Sequence, residues 1–322
     1  MSEMRYRALG NSGLQVSVVG LGCNNFGRRL DQARTERVVH TALDFGITLF
    51  DTADVYGAGE SERYLGAALR GRRDQAVIAT KFRSSMGDGP YNQGGSRRYI
   101  RHAVEGSLKR LGTDYIDLYQ MHAPDAATPI EETLSTLNDL VHEGKVRYIG
   151  SSNFAGWQIA DAAWISRTEH LAPFISAQNE YSLLDRSVER DVISACLRFG
   201  VGMLPYFPLA SGLLTGKYRR GQPPPEGTRL AGSPRAGEVL SNANFDIVEK
   251  LEQFAKDRGI ALLDVAIGGL AAQPAVDSVI AGATKPEQIE ANVAAGAWVP
   301  SPQELAEIDR IAPTQRDASD GS

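Results

Sequence analysis

The sequence predicts an α/β protein, a (β/α)8 TIM barrel with an N-terminal β-hairpin and long loops on its C-terminal face. Three observations carry that expectation. Short β-branched or apolar runs alternate with longer runs of helical period along nearly the whole chain, the pattern of repeated βα units on a parallel sheet. Several of the short runs are apolar on both faces, as strands covered on both sides require. There are eight of them in 322 residues, and a barrel of this kind takes about 250 residues before insertions.

The expected strands are Val16–Leu21, Thr48–Asp51, Ala76–Lys81, Tyr115–Met121, Val146–Gly150, Phe174–Gln178, Gly202–Tyr206 and Val276–Ile280. Helical periodicity marks Arg34–Phe45, Arg97–Leu111, Ile130–Glu143, Val188–Phe199 and Leu262–Ala272 among the segments between them. Arg5–Leu9 and Leu14–Val16 flank an Asn-Ser-Gly turn and predict a hairpin over the N-terminal end of the barrel. Two stretches, Phe82–Ser96 with four glycines and Ser211–Asn242 with the run Pro223-Pro224-Pro225, read as long loops on the catalytic face. No composition shift marks a domain boundary, so residues 1–322 are expected to form a single barrel domain with a polar, mobile tail over 313–322. The rival architecture, a doubly wound sheet, lacks its marker: Gly20-Leu21-Gly22 is followed by Cys23-Asn24-Asn25, without the third glycine.

Composition narrows the function classes. There are 34 Lys+Arg against 39 Asp+Glu, a formal net charge of −5. A mildly acidic chain without a basic block has no long-range attraction for nucleic acid or for an anionic membrane surface. No apolar run approaches the roughly 18 residues of a membrane span, and MSEMRYRALG lacks the apolar core of a signal peptide. Two cysteines, Cys23 and Cys196, have no metal-type spacing and point to a reduced, cytoplasmic setting. Five histidines contain no His-x-His pair, and only His122 closes a strand, so a metal-dependent barrel hydrolase lacks ligands.

The residues at the C-terminal strand ends hold the chemistry. They are Asp51, with Tyr56 five positions on, then Lys81, His122, Ser152-Asn153, Gln178 and Tyr206, separated by 30, 41, 30, 26 and 28 residues. These are lengths of single βα units, so the side chains converge on one rim, the end of such barrels where catalysis occurs. A free phenol has a pKa of about 10, too high for efficient proton transfer at neutral pH. An ammonium at Lys81 is expected to lower that of Tyr56, and Asp51 to keep Lys81 charged. His122 can steer and polarise a carbonyl oxygen. The set fits proton transfer to or from a carbonyl oxygen and lacks a hydride source, which no side chain supplies, so it implies a nicotinamide cofactor. Ser152, Asn153 and Gln178 can hold a carboxamide, and Tyr206 offers a face for its ring. Gly212, Gly216 and Lys217 suit close approach to a pyrophosphate. Thr284 and Lys285, before a helix that opens at Pro286, suit an adenosine phosphate.

The chain resembles the aldo-keto reductases from about Arg5 to Ile311. The resemblance lies in FDTADVYGAGESERYLGAAL, ATKF, RLGTDYIDLYQMHAPD, VRYIGSSNF, AQNEYSLLDR, PYFPLASGLLTGKY and VIAGATKPEQIEANV, in the family's order. It is most similar to the bacterial branch that includes potassium-channel β-subunit-like reductases. The resemblance implies a catalytic tetrad of Asp51, Tyr56, Lys81 and His122, with Tyr56 as general acid, and an extended NAD(P)H. Its implied contacts are Gly22, Cys23, Asn24, Ser152, Asn153, Gln178, Tyr206, Phe207, Pro208, Leu209, Gly212, Leu214, Lys217, Arg229, Gly282, Thr284, Lys285, Gln288 and Asn292. Many members have Lys where this chain has Gly282 and Arg where it has Gln288, both gripping the 2′-phosphate of NADPH. Lys285 and Arg229 are the substitutes here, and NADPH is favoured with NADH left open. Asn25, Phe26, Phe82, Met86, Tyr91 and Phe154 are expected to line the substrate pocket, while Trp157, Trp164 and Trp298 read as packing residues.

Two functions remain at this point. One is a reversible NAD(P)H-dependent reductase of small aldehydes and ketones, with a small-molecule carbonyl or alcohol as its partner and a homo-oligomeric state left open. The other is a cofactor-binding, redox-sensing regulatory subunit with little turnover. Taken singly, each tetrad residue has an ordinary structural explanation: a strand-end Asp can cap a helix, and a lone rim His is commonly a satisfied packing residue. A redox role for Cys23 competes with simple packing beside the cofactor, since no base adjoins it in the sequence.

Overall fold

The computed structural model describes residues 4–89 and 91–314; residues 315–322 of the expected tail lie outside the described residues. The chain begins with strands β1 (Tyr6–Ala8) and β2 (Gln15–Ser17), an antiparallel pair in which Arg7 faces Val16. The barrel strands follow: β3 (Val19–Gly22), β4 (Leu49–Asp51), β5 (Val77–Phe82), β6 (Ile116–Met121), β7 (Val146–Ser152), β8 (Phe174–Gln178), β9 (Gly202–Met203) and β10 (Val279–Gly282). They form an eight-stranded sheet in the order β10-β3-β4-β5-β6-β7-β8-β9, with every neighbouring pair parallel. The two edges meet through a Met203–Val276 bridge and the bonds Asp277 N–H to Met203 O (3.1 Å) and Ile280 N–H to Pro205 O (3.0 Å), which close the ring.

Helices alternate with the strands. They are α1 (Gln32–Asp44), α2 (Glu60–Ala68), α3 (Arg97–Leu111), α4 (Ile130–His142), α5 (Gly156–Thr168), α6 (Val192–Phe199), α7 (Ala236–Val239), α8 (Asn242–Asp257), α9 (Leu262–Ala271), α10 (Pro286–Ala297) and α11 (Pro302–Ile311). Their ends follow local chemistry. Asp31 accepts the Arg34 N–H at the start of α1, Ser96 caps α3, and Gly112 ends α3 at φ 64°, a left-handed stop that glycine adopts without cost. Pro286 opens α10 as the sequence indicated. No helix among the described residues is long and apolar enough to cross a membrane.

Val16–Leu21 was expected as one strand and divides in two. Ser17 takes its bonds sideways, its N–H to Thr48 Oγ1 (2.9 Å) and its hydroxyl to Val19 O (2.7 Å), so the chain changes sheet there. Gly202–Tyr206 shortens to two strand residues, although Leu204 N–H and Tyr206 N–H still donate to Ala177 O and Asn179 O (2.9 and 3.0 Å). The segment Ser211–Asn242 is more ordered than a plain loop. It contains a 3-10 turn over Ala210–Thr215 and α7, and Leu213, Leu214, Tyr218 and Leu230 pack with α8 and α9 in a core of their own. Trp298 packs edge-on against Phe254. Trp157 and Trp164 instead face solvent, 68% and 49% exposed.

Two apolar layers hold the barrel. The larger lies between sheet and helices. The inner one joins Leu49, Ala79, Leu118, Ile175, Leu204 and Ile280 inside the barrel to Leu9 and Val16 of the hairpin. The hairpin thus stoppers the N-terminal end, as expected. Gly10 (φ 54°) permits the close fit: a Cβ there would stand 2.4 Å from Ile175 O. With the lower interior filled, the open end is the one that receives the C-terminal ends of the strands.

Candidate active site

Adjacent registers place the strand-end residues side by side: Gly22 beside Asp51, Lys81 beside Gln120, and Ser152 beside Gln178. Lys81 is fully buried at the end of an apolar strand. Its ammonium donates to both oxygens of Asp51 (2.7 and 2.8 Å) and to Thr52 O (2.9 Å). A buried ammonium persists only when paired and hydrogen-bonded. Burial opposes its charge, but Asp51 and then Tyr56 outweigh that, and the Lys81 pKa lies above its ordinary value.

Tyr56 lies against this pair, with Lys81 Nζ 5.3 Å from its ring centroid. The His122 ring meets it edge-on at 5.8 Å. The expected lowering of the Tyr56 pKa is not the net result. Burial raises it, Lys81 pulls it back, and the balance stays above the ordinary phenol value. Tyr56 therefore keeps its proton at neutral pH and holds it beside a fixed positive charge. Burial, followed by the charges of Lys81 and Arg83, pushes His122 down to about 3, so its imidazole is neutral. Ser84 Oγ lies 3.3 Å from His122 Nδ1. With the hydroxyl donating, the ring proton resides on Nε2.

Around the tetrad, the side-chain amide of Asn153 donates to His122 O (2.9 Å) and Ser152 Oγ (3.2 Å), and its oxygen accepts from the Tyr206 hydroxyl (2.8 Å). Gln178 Nε2 donates to Asp51 Oδ1 at 2.7 Å. Left-handed backbone recurs here at non-glycine residues: Ala58, Arg83, Asn153, Phe207, Ala210 and Ser211 have φ of 55°, 98°, 59°, 54°, 44° and 57°. Such conformations cost about 1–3 kcal/mol each and gather at functional sites.

A cavity of about 840 Å³ runs from Asp51, Tyr56 and His122 past Tyr206 to Asn292. Of the contacts implied for a dinucleotide, Gly22, Cys23, Asn24, Ser152, Asn153, Gln178, Tyr206, Phe207, Pro208, Leu209, Gly212, Lys217, Arg229, Gly282, Thr284, Lys285, Gln288 and Asn292 line it. Leu214 does not, being fully buried in the core of α8 and α9. Cys23 is an inert thiol, buried and raised well above its ordinary pKa.

The substrate-pocket expectation needs correction. Asn25 lines the cavity, but Phe26, Phe82 and Phe154 are core residues at 0%, 0% and 2% exposure. The physical reason at Phe82 is strand alternation: with Lys81 turned inward, its neighbour points outward and packs on Tyr119 at 4.8 Å. Phe154 meets Phe174 edge-on at 5.8 Å. Tyr91 lies 53% exposed under the Arg98 guanidinium, and Met86 sits in the 83–96 loop; neither lines the cavity.

Several cavity residues went unrecognised in the sequence, among them Arg28, Arg29 and Thr228. The two arginines follow Gly22-Cys23-Asn24-Asn25, and the one nearby acid, Asp31, is spent on capping α1 and pairing with Arg34. Arg28, Arg29, Lys217, Arg229 and Lys285 all line the cavity, and among the described residues none has a carboxylate within ion-pair distance. Lys217 Nζ occupies the space over Gly212 (φ 94°) that any Cβ would take. An elongated groove with the tetrad at one end and uncompensated cations beyond it fits a dinucleotide bearing phosphates.

The protein is thus a parallel barrel with Asp51, Tyr56, Lys81 and His122 gathered at the C-terminal rim. The family model of the Aldo/keto reductase family matches residues 18–313. The chain is 36% identical over 317 residues to a probable voltage-gated potassium channel subunit beta of Oryza sativa subsp. japonica, covering 96% of each protein. It is 36% identical over 320 residues to the L-glyceraldehyde 3-phosphate reductase of Escherichia coli K12, covering 96% of this chain and 92% of that one. It is 34% identical over 332 residues to the versiconal hemiacetal acetate reductase of Aspergillus parasiticus, covering 95% and 96%. The chain belongs to the aldo/keto reductase family.

Proposed function

We propose that this protein is an NAD(P)H-dependent carbonyl reductase, converting small aldehydes or ketones to alcohols reversibly, with Tyr56 as the proton donor. The observation that carries the reading is the fully buried Lys81 ammonium, clamped by Asp51 at 2.7 Å and held beside the Tyr56 ring. A buried charge so placed has no packing purpose that an apolar residue would not serve better.

Bound in the groove, a reduced nicotinamide dinucleotide supplies the hydride. The chain's own residues do the rest. The Nε2–H of neutral His122 and the hydroxyl of Tyr56 form a donor pair that holds and polarises the carbonyl oxygen. As negative charge develops on that oxygen, Tyr56 releases its proton to it, and Lys81 stabilises the phenolate left behind. Asp51 holds the ammonium in place throughout. Ser152, Asn153 and the Oε1 of Gln178 offer carboxamide contacts, with Tyr206 as the stacking face. The reverse reaction uses the same groups, with Tyr56 accepting the proton.

Arg28, Arg29, Arg229, Lys217 and Lys285 are the phosphate-holding set, and their uncompensated charge supports NADPH over NADH. The oxygen of Gln288 is already used, accepting from Thr284 N–H (2.7 Å) and Oγ1 (3.1 Å), which leaves its NH2 free for an anion. Two buried free cysteines are in keeping with a reduced, cytoplasmic setting.

Replacing Tyr56 by Phe tests the reading. Turnover of an aldehyde such as 4-nitrobenzaldehyde should vanish while NADPH affinity, read by nicotinamide fluorescence, stays within about twofold, since the hydroxyl acts on the reacting oxygen. Near wild-type turnover in that variant would overturn the mechanism. A second reading, a cofactor-binding regulatory subunit, rests on the 36% identity to a channel β-subunit. Rapid single-turnover oxidation of bound NADPH with negligible steady-state rates across an aldehyde panel would favour it.

A further inference from the structure

The loop that leaves β5 holds a cation for which the tetrad has no use. Arg83 follows Phe82 directly, and both its flanking residues engage His122: Phe82 O accepts the His122 backbone N–H (3.0 Å), and Ser84 Oγ meets Nδ1 (3.3 Å). The backbone at Arg83 is left-handed, φ 98°, a conformation that a long side chain adopts only where its surroundings enforce it. The neck of the loop does so. Gly94 N–H donates to Arg83 O (2.9 Å), Met86 N–H to Asn92 O (2.9 Å), and the Tyr99 hydroxyl to Ser84 O (3.0 Å).

So fixed, Arg83 has no counter-charge. Among the described residues no carboxylate lies within ion-pair distance of it, and its Nε is buried without a hydrogen-bond partner. The acid in the neighbouring β6–α4 loop, Asp125, feels its charge but is otherwise committed. It accepts from Gly95 N–H (2.7 Å), Thr128 Oγ1 (2.9 Å) and Ala127 N–H (3.0 Å). Arg83 is not among the residues that line the cavity, but it adjoins the two residues that bond His122, and its charge is felt by that ring. A cation fixed next to His122 with a donor unused suits an anion at the inner edge of the site.

We propose that Arg83 is a substrate-specificity residue that binds an oxyanion, carboxylate or phosphate, carried by the aldehyde a few bonds from its carbonyl. The inference rests on the reductase reading and names the substrate class for the same site. The planar guanidinium would take two oxygens of that group at once, while His122 and Tyr56 hold the carbonyl at the other end.

Three aldehydes of similar reach test it in the holoenzyme with NADPH: butanal (neutral), succinic semialdehyde (carboxylate) and glyceraldehyde 3-phosphate (phosphate). The wild-type enzyme should favour at least one charged aldehyde over butanal. Arg83→Gln should lower kcat/KM for that substrate about tenfold or more, mainly through KM, and change butanal by less than about twofold. Arg83→Lys should recover part of the loss for phosphate and little for carboxylate, if the fork matters. Which charged arm responds identifies the oxyanion. Equal losses for all three aldehydes, or a wild-type preference for butanal, would overturn the proposal.

Calorimetric titration of the enzyme–NADPH complex with succinate and with inorganic phosphate gives a readout that needs no turnover. Binding abolished by Arg83→Gln in an inactive protein would sink the reductase reading and keep the anion site. Binding unaffected by the substitution would sink the anion site alone.

Discussion

Gln178 and Lys81 converge on one oxygen of Asp51, each donating from 2.7 Å. A third donor, the amide of Gln120, stands 3.4 Å from the same atom. Sequence reasoning assigned Gln178 to the cofactor alone. In the structure its NH2 also donates to the ion pair, while the residue lines the groove. Cofactor grip and ammonium placement thus share a residue.

Asp51→Asn keeps the shape and removes the charge that Lys81 and Gln178 both address. Breaking a buried pair from one side costs about 3–5 kcal/mol, because the other charge stays behind unpaired. The variant should lose stability of that order in urea unfolding and lose most reductase activity. Unchanged stability would show that the ammonium is not held as described.

The pH profile of reduction should lack a limb near 6.5. His122, pushed down to about 3, does not titrate between pH 5 and 8, and Tyr56, raised above the ordinary phenol, keeps its proton there. kcat/KM for aldehyde reduction should therefore be level across that range and fall only in alkali. An acid-side break near 6.5 in steady-state kinetics would assign a protonated role to His122.

Asp54 should make the protein less stable as pH rises. It is buried with Oδ1 unpartnered, and burial, with Glu62 beside it, pushes it up to about 7 from 3.8. Between those values the folded form holds a proton that the unfolded chain has released, so stability contributed at pH 4 declines toward pH 7. Asp54→Asn, which mimics the neutral acid, should raise Tm clearly more at pH 8 than at pH 5. Thermal unfolding at the two pH values decides this. A gain at pH 5 as large as at pH 8 would contradict the assignment.

Ser84→Ala removes the hydroxyl that stands 3.3 Å from His122 Nδ1 and would fix its tautomer by donating to it. kcat should drop several-fold with KM nearly constant, and Ser84→Thr should restore part of it. A histidine ring nitrogen signal in NMR that does not move between wild type and Ser84→Ala would argue against the role.

The barrel, and the meeting of Asp51, Tyr56, Lys81 and His122 at one rim, were legible because both rest on period and position. A strand that ends in Asp, Lys, His or Gln after an apolar run declares which residue leaves the core, and βα spacing brings those ends to one rim. Legibility failed where backbone geometry departs from that rhythm. Ser17 breaks an apparently continuous strand with side-chain hydrogen bonds that no propensity reveals. Phe26, Phe82 and Phe154 looked like pocket walls from their proximity to site residues, yet face the core. The net pKa of Tyr56 depends on how burial and the Lys81 charge balance, a comparison that sequence does not contain. Arg28 and Arg29 stood in plain view, but their lack of partners is a three-dimensional fact.

The hairpin seal beneath the barrel has a kinetic consequence. Leu9 and Val16 fill the lower end, which leaves the cavity open at the C-terminal rim alone. If the proposed reductase reading holds, a dinucleotide lying from Tyr56 out to Asn292 and a small carbonyl compound would have to use that same mouth. The reading then predicts ordered loading, nucleotide before carbonyl, which product-inhibition kinetics would check.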